Sequence, residues 1–268
     1  MTENDGKFPP PMATLLSALQ SGSLILTLNR PERANAFTLE LIRELQEAFK
    51  QAAADSQVRA VVLTGGGRVF GAGQDIEEIK SYGAEISYRQ HLLETYNPLV
   101  LQIRQIQKPV IAAINGPCAG ASLGIALACD IRLASEISNF VVGFNGIGLV
   151  PDSAVSLLLP VLIGLGRAHE FTFTNQPITP QQAREWGMVN RVYAPDELMP
   201  ETLKLAAQLA AGPTGTYGLT KQAFNKAMLP NLEEALKAEA DLQEIAGHTK
   251  EHKEGVAAFL EKRAPKYN

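Results

Sequence analysis

A chain of 268 residues with 46% hydrophobic and 19% charged residues has the composition of a globular protein able to bury a sizeable core, and long disordered tracts are excluded. The formal net charge of -4, with no block of Lys or Arg longer than two residues, argues against a nucleic-acid footprint. Cys118 and Cys129 lie among small and apolar residues without CxxC spacing, so they read as buried thiols rather than a disulfide.

The first twelve residues, MTENDGKFPPPM, carry acids, glycine and prolines but no apolar signal-peptide core, and are expected to form a flexible leader. No stretch approaches the roughly 18 uninterrupted apolar residues of a membrane helix. The nearest, 109–129, is broken by Asn115, Gly116 and Pro117. A cytoplasmic protein without membrane contact is expected.

SLILTLN (23–29) places Leu24, Leu26 and Leu28 on one face of a strand, and RPERANAF then turns the chain. Thr38 opens a helix whose apolar positions 41, 42, 45, 48, 49 and 52 form one stripe. VRAVVLTG (58–65) is a short buried strand. Residues 88–107 read as one helix, PVIAAING (109–116) as the next strand, ASLGIALAC (121–129) as a helix and DIRLAS (130–135) as a strand. Strands alternating with helices imply a parallel sheet with right-handed crossovers. Beyond residue 165 a helix capped at TPQQAREWGM and a strand in VNRVY are expected, and from Asp196 nearly everything reads as helix. The division is thus a β/α core over 13–195 and a helical region over 196–268.

Three glycine-containing loops follow strands: TGGGRVFGAGQDI (64–76), NGPCAGASLG (115–124) and GFNGIGLVPDSA (143–154). None matches GxxxxGK[ST] or a properly placed GxGxxG, so a nucleotide loop is disfavoured. Such loops also turn peptide N–H groups toward one point, and GAG (71–73) and CAGA (118–121) suit an oxyanion hole, the second at a helix start. Tight turns that need glycine for backbone reasons are the alternative. Asp152, or Ser153 beside it, has the position of an N-cap for the helix in SAVSLLLPVL. His248 and His252 have the spacing of a two-histidine helical site but lack a third ligand, and read as a solvated face. His91, Glu85 and Glu94 read as polar surface groups that could line a mouth, and Trp186 as a packing residue.

LNRPERANAF, RVFGAGQDI, KPVIAAINGPCAGASLGIALACDIRLAS, GLVPDSA, EWGMVNRV and EGVAAFLEKRAP, in that order, resemble the signature segments of the crotonase superfamily, the enoyl-CoA hydratases and isomerases. The resemblance covers about residues 20–265. It implies an α/β fold with a β-β-α spiral core, a C-terminal helical trimerisation region, and acyl-CoA thioester substrates. It also implies a homotrimer or a dimer of trimers, with coenzyme A entering as part of the substrate and no separate cofactor or metal.

Carried over by position, the resemblance places the oxyanion hole at the N–H groups of Ala72 and Ala121. The two glutamates of the hydratases are missing: Gly124 and Phe144 stand at those positions. Hydration needs one group to activate water and a source of the proton delivered to the α carbon, so this departure disfavours it. GLVPDS, with YNPLV (96–100), instead resembles the branch of 1,2-epoxyphenylacetyl-CoA isomerases and Δ3,Δ2-enoyl-CoA isomerases, in which this aspartate is the acid/base residue. Asp152 is therefore expected to carry a 1,3-proton shift, with Phe144, Ile147, Leu149 and Tyr96 in the acyl pocket and apolar walls raising its pKa. The resemblance places Arg30, Arg33, Ala36, Gln74, Asp75 and Ile76 against the CoA moiety, and Phe259 and Lys262 where a neighbouring subunit's CoA is reached. The segment 77–92 is expected to shape the acyl wall. Three alternatives stay open: an enoyl-CoA hydratase, a hydrolase resembling the aromatic acyl-CoA dehalogenases, for which Phe144 and Asn97 replace the accompanying Trp and His, and a non-catalytic CoA-binding member.

Overall fold

The computed structural model describes residues 14–81 and 86–267. The expected leader and Glu85 lie outside them. The strands are β1 (Leu15–Gln20), β2 (Ser23–Leu28), β3 (Ala60–Gly65), β4 (Val110–Ile114), β5 (Cys118–Ala119), β6 (Ile131–Ser135), β7 (Phe140–Val141) and β8 (Arg191–Tyr193). The helices are α1 (Leu39–Ala54), α2 (Ile76–Ser81), α3 (Tyr88–Glu94), α4 (Tyr96–Gln105), α5 (Ala121–Ala128), α6 (Val155–Ile163), α7 (Leu165–Thr174), α8 (Pro180–Glu185), α9 (Leu198–Ala211), α10 (Thr214–Met228), α11 (Leu232–Gly247) and α12 (Lys250–Leu260). None is long and apolar enough to cross a membrane.

The main sheet runs β1-β2-β3-β4-β6-β8, parallel throughout except for the hairpin of β1 with β2. That hairpin turns on Ser21 and Gly22, both at positive φ (49° and 77°), the backbone of a tight turn that matches strand twist. β1 escaped the sequence reading because it is an edge strand, exposed along all but its first residue. In the parallel strands, side chains alternate between two apolar layers. Val61 and Leu63 of β3 and Val110, Ala112 and Ile114 of β4 join the large core with α1, α4 and α5, whereas Val62, Ile111 and Ala113 face the other way onto Leu198 and Ala206 of α9. The first helix after the last strand thus closes the second face of the sheet.

A shorter ladder runs beside the main sheet and positions the loops. β5 pairs with β7 in parallel, and isolated bridges join Phe37 to Gln74, Gly71 to Cys118 and Phe140 to Ile178. β2, β3, β4 and β6 each therefore feed a second short pairing before the next helix, which is the β-β-α spiral.

The helix expected over 88–107 is two helices that meet at Thr95 (φ -115°, ψ -85°). Pro98 explains the break: a proline has no N–H to give to the carbonyl four residues back and its ring crowds that carbonyl, so the helix restarts ahead of it. α10 docks through Lys221, whose Nζ donates to Ile103 O (2.7 Å) and pairs with Asp130 (2.8 Å). Asp130 also pairs with Arg104 of α4 (3.2 Å) and accepts the Val110 N–H (2.9 Å), so one carboxylate ties α10, α4 and β4 together.

Lys221→Met keeps the stem and removes the charge, leaving the Ile103 carbonyl without its donor and Asp130 with only Arg104 and the Val110 N–H. A loss of roughly 2–3 kcal/mol in urea unfolding is expected. An unchanged midpoint would mean that α10 is held by the Arg104–Asn225 bonds and apolar packing without it.

Candidate active site

Backbone N–H groups that are buried must find acceptors, so following them one by one shows which are left for a ligand. In the loop after β3, Gly71 N–H goes to Pro117 O (3.2 Å), Ala72 N–H to Ala34 O (3.1 Å), Gly73 N–H to Ser122 Oγ (2.9 Å) and Asp75 N–H to Phe37 O (2.8 Å). Gln74 N–H has no acceptor among the described residues. In the loop after β4, Cys118 N–H goes to Asn139 O (2.9 Å), Ala119 N–H to Gly71 O (3.0 Å) and Gly120 N–H to Val141 O (3.2 Å). The next amide, Ala121, opens α5 and has no acceptor among the described residues, as the first turn of a helix dictates.

Glycines bring these two amides together. Gly73 has φ 89°, in the left-handed region, and a Cβ there would lie 3.4 Å from Ala121 N, so the chain carrying Gln74 runs directly past the start of α5. A Cβ on Gly71 would meet Ser122 Oγ at 2.4 Å, the atom that holds Gly73 N–H. Two free donors, one of them at a helix N-terminus where the helix dipole adds to it, are the kind of group an anionic oxygen would need. Ala121 is one of the two donors expected from the sequence. The Ala72 amide is not the other, because Ala34 already occupies it; Gln74 supplies the free N–H. Which amide of a glycine-containing loop stays free depends on a carbonyl elsewhere in the chain, and no local signal reveals it.

Asp152 is buried, with Oδ1 accepting from Ser153 Oγ (2.7 Å) and Oδ2 from Gln243 Nε2 (2.7 Å). Burial pushes its pKa up to about 6, against the pull of the two hydrogen bonds. Neither Asp152 nor Ser153 caps α6. That role belongs to Glu239 of α11, which accepts the N–H groups of Ala154 (2.8 Å) and Ser156 (2.9 Å) and the Ser156 hydroxyl. Glu239 is itself raised to about 7, by burial first and by the charge of Asp152 in addition. Ser153 and Ala154 both have positive φ (57° and 65°), so this turn is strained backbone held from outside. Gln243 and Glu239 went unseen in the sequence because they lie in a helix whose local pattern is only that of a surface helix.

Two contacts tie the turn of Asp152 to the elements that carry the free amides. Ser153 packs on Gly124, where a Cβ would lie 2.6 Å from Ser153 Cβ and 2.7 Å from its carbonyl, one helical turn beyond Ala121. Tyr96, fully buried, donates its hydroxyl to Gln74 Oε1 (2.7 Å), and its pKa is held well above 10 by burial and by the Asp152 charge. His91 Nε2 bonds the same oxygen (3.1 Å) and burial holds this imidazole below its usual pKa, so it donates as the neutral ring.

The remaining expected residues fall into three groups. Arg30, Ala36, Asp75 and Ile76 gather at one rim: Arg30 donates to Ala36 O and pairs with Asp75 (3.1 Å), which also accepts the N–H groups of Glu77 and Glu78 at the start of α2. Arg33 is an exposed partner of Glu77 on that rim. Phe259 and Lys262 lie elsewhere, exposed at the C-terminal end of α12. Phe144 is buried in the large core. The Ile147 carbonyl accepts from His252 Nδ1 (2.8 Å), and His252 also bonds the Tyr88 hydroxyl (2.9 Å), so this histidine is a buried tie and not a solvated group. A cavity of about 470 Å³ between α6, α7 and the α11–α12 junction takes Leu149, Val150 and Pro151 as one wall, but Asp152, Gln74 and Ala121 do not line it.

A family model described as enoyl-CoA hydratase/isomerase matches residues 19–268. The chain belongs to the enoyl-CoA hydratase/isomerase family, in the crotonase superfamily. This enoyl-CoA hydratase/isomerase family member is 40% identical over 258 residues to 1,2-epoxyphenylacetyl-CoA isomerase of Escherichia coli, covering 96% of this chain and 98% of that protein. It is 36% identical over 214 residues to 4-chlorobenzoyl coenzyme A dehalogenase-2 of Arthrobacter, covering 79% and 78%. Its fold matches the crystal structure of an enoyl-CoA hydratase from Mycobacterium avium subsp. paratuberculosis with a TM-score of 0.87 at 36% identity, covering 96% and 100%. The relatives carry the names of three different reactions, so the site of this family member must choose among them.

Between pH 4 and 6 the folded state keeps the proton on Asp152 that the unfolded chain has already released, so stability falls as pH rises through that window. Above it the full penalty of the ionised buried acid is present, on the order of 3 kcal/mol. Asp152→Asn, neutral and of the same shape, should be more stable than wild type in urea at pH 8 by ~1 kcal/mol or more, with the gain shrinking toward zero by pH 4. An equal gain at both pH values would locate the effect in packing and not in the charge.

Proposed function

We infer that this family member is an acyl-CoA isomerase that moves a double bond from the 3- to the 2-position of an enoyl-CoA, or rearranges a ring epoxide, through a thioester enolate. The Asp152 carboxylate removes the proton from C2, and the electron pair of that C–H bond passes to the thioester oxygen. The amides of Gln74 and Ala121 hold that oxygen while the charge is on it. The carboxyl then returns the same proton to C4, the carbonyl re-forms, and the double bond lies between C2 and C3. No water enters and no atom is lost, so one carboxyl suffices.

The observation that carries this reading is the contact at Gly124. Ser153 fills the space where the side chain of a glutamate at residue 124 would begin, with a backbone carbonyl 2.7 Å from the Cβ position, so a carboxylate could not stand there without displacing the turn that carries Asp152. Phe144 at the second position is apolar and buried. Glu239, the other buried acid nearby, has both oxygens engaged at the start of α6 and is not placed to activate water. Against the dehalogenase-like reading stands Asn97, where a general base is wanted: it is an amide, buried, and its Nδ2 donates to Leu236 O (3.0 Å). The 40% identity to an isomerase supports the assignment. Apolar side chains exposed on the helical region, among them Phe224, Met228, Leu242, Ile245 and Phe259, support a homo-oligomer in which other copies cover them.

The test is the conversion of trans-3-hexenoyl-CoA to its conjugated 2-enoyl isomer, with crotonyl-CoA hydration as the control. Asp152→Asn should lose roughly 10²–10⁴-fold in kcat while remaining folded. Because the base must be ionised in the free enzyme, kcat/KM should rise with pH through an acid limb near 6. Efficient crotonyl-CoA hydration with an indifferent Asp152→Asn would overturn the assignment.

A further inference from the structure

The segment 150–156 is held along one face of α11. Gln243 is buried and uses both ends of its amide: Oε1 accepts the Val150 N–H (3.1 Å) and Nε2 donates to Asp152 Oδ2 (2.7 Å). The residue between, Pro151, has no N–H and a fixed φ, so Gln243 brackets a three-residue stretch whose middle cannot bond for itself. The donors and acceptors permit only this orientation of the amide, since the reverse would set its NH₂ against the Val150 N–H and its oxygen against the carboxylate. Four residues earlier, on the same face of α11, Glu239 holds the N–H groups of Ala154 and Ser156.

The geometry points to Gln243 as the positioning residue of Asp152, fixing the direction of the carboxyl and favouring its ionised form while leaving thioester binding to other residues. This rests on Asp152 being the proton carrier. The second donor, Ser153 Oγ, comes from the neighbouring residue and moves with the turn, whereas Gln243 comes from an independent element and references the carboxyl to the core. A donor to a carboxylate stabilises the charged form, and with Oδ2 held by Gln243 and Oδ1 by the Ser153 hydroxyl the plane of the carboxyl is set by donors from two different elements. The titratable groups facing Asp152 are Glu239 of α11 and Tyr96 of α4, the latter neutral throughout.

The experiment uses the full chain and the 3-hexenoyl-CoA assay. Gln243→Met keeps the length of the side chain and removes both amide bonds. The expected result is a loss of roughly ten-fold to hundred-fold in kcat with KM within about two-fold, and an acid limb of kcat/KM displaced upward by about one pH unit. The same displacement should appear in a ¹³C-carboxyl NMR titration of Asp152, which does not depend on turnover. Glu239→Gln, measured in parallel, identifies any limb that belongs to Glu239. Should Gln243→Met fail to fold, Gln243→Glu carries the test: it keeps an acceptor for the Val150 N–H, and the two buried carboxyl groups then share one proton, so the Asp152 titration should become biphasic and the acid limb should leave its wild-type position. Wild-type kcat and an unmoved limb in the folded variant, with Asp152→Asn inactive, would overturn the inference and leave the isomerase assignment standing. Full activity in Asp152→Asn would remove the assignment itself.

Discussion

The grip of α11 on residues 150–156 is the constraint on which the site depends. Ser153 and Ala154 stand in left-handed backbone, a conformation that costs each of them on the order of 1 kcal/mol or more, and α6 begins immediately afterwards with unpaired N–H groups. A local cap would have to come from a residue already used in the turn. Glu239 solves both problems from the far end of the chain by placing a carboxylate where the helix dipole favours one. Once those N–H groups are satisfied, Asp152 no longer has to cap anything and its carboxyl faces the core.

That freedom comes with an unfavourable environment. A buried acid with only neutral hydrogen-bond donors is pulled in two directions: burial favours the protonated form, and the Ser153 and Gln243 donors favour the ionised one. The balance near 6 is what the proposed proton transfer asks of this carboxyl: ionised at neutral pH, with its basicity raised above that of an exposed aspartate. The nearby acid Glu239 stays distinct in role because its oxygens are committed to a helix start. Two buried carboxyl groups close together, one structural and one poised, separate by what their oxygens bond.

The two spare amides are backbone groups, and they arise beside the second ladder of the spiral. The bridges Phe37–Gln74 and Gly71–Cys118 take the N–H groups of Asp75, Gly71 and Ala119, Ser122 and Val141 take those of Gly73 and Gly120, and Gln74 and Ala121 are left over. Side chains act here only as supports. Ser122 holds Gly73, and Tyr96 and His91 hold the Gln74 side chain, so the peptide plane presenting the Gln74 N–H is fixed from both sides.

Much of this was legible before any coordinates. Apolar periodicity located α1 and the strand 23–28, and short, largely apolar runs between turn residues located the strands 60–65, 110–114 and 131–135 and helix α5, because both signals are written in consecutive residues. Asp152 stood out as a lone acid between Pro151 and Ser153 in an apolar run, and Gly124 and Phe144 stood out as absent carboxylates. The amide that completes the oxyanion site, the cap of α6 and the bracket on Asp152 were not legible. Ala72 gave way to Gln74 because the Ala34 carbonyl takes the first N–H, and Asp152 was freed from capping because Glu239 arrives from α11. Local order in the chain determines which residues can do chemistry and which stretches pair. Only the tertiary structure decides which hydrogen-bonding groups are left over to do it, because each is spent or spared by a partner distant in sequence.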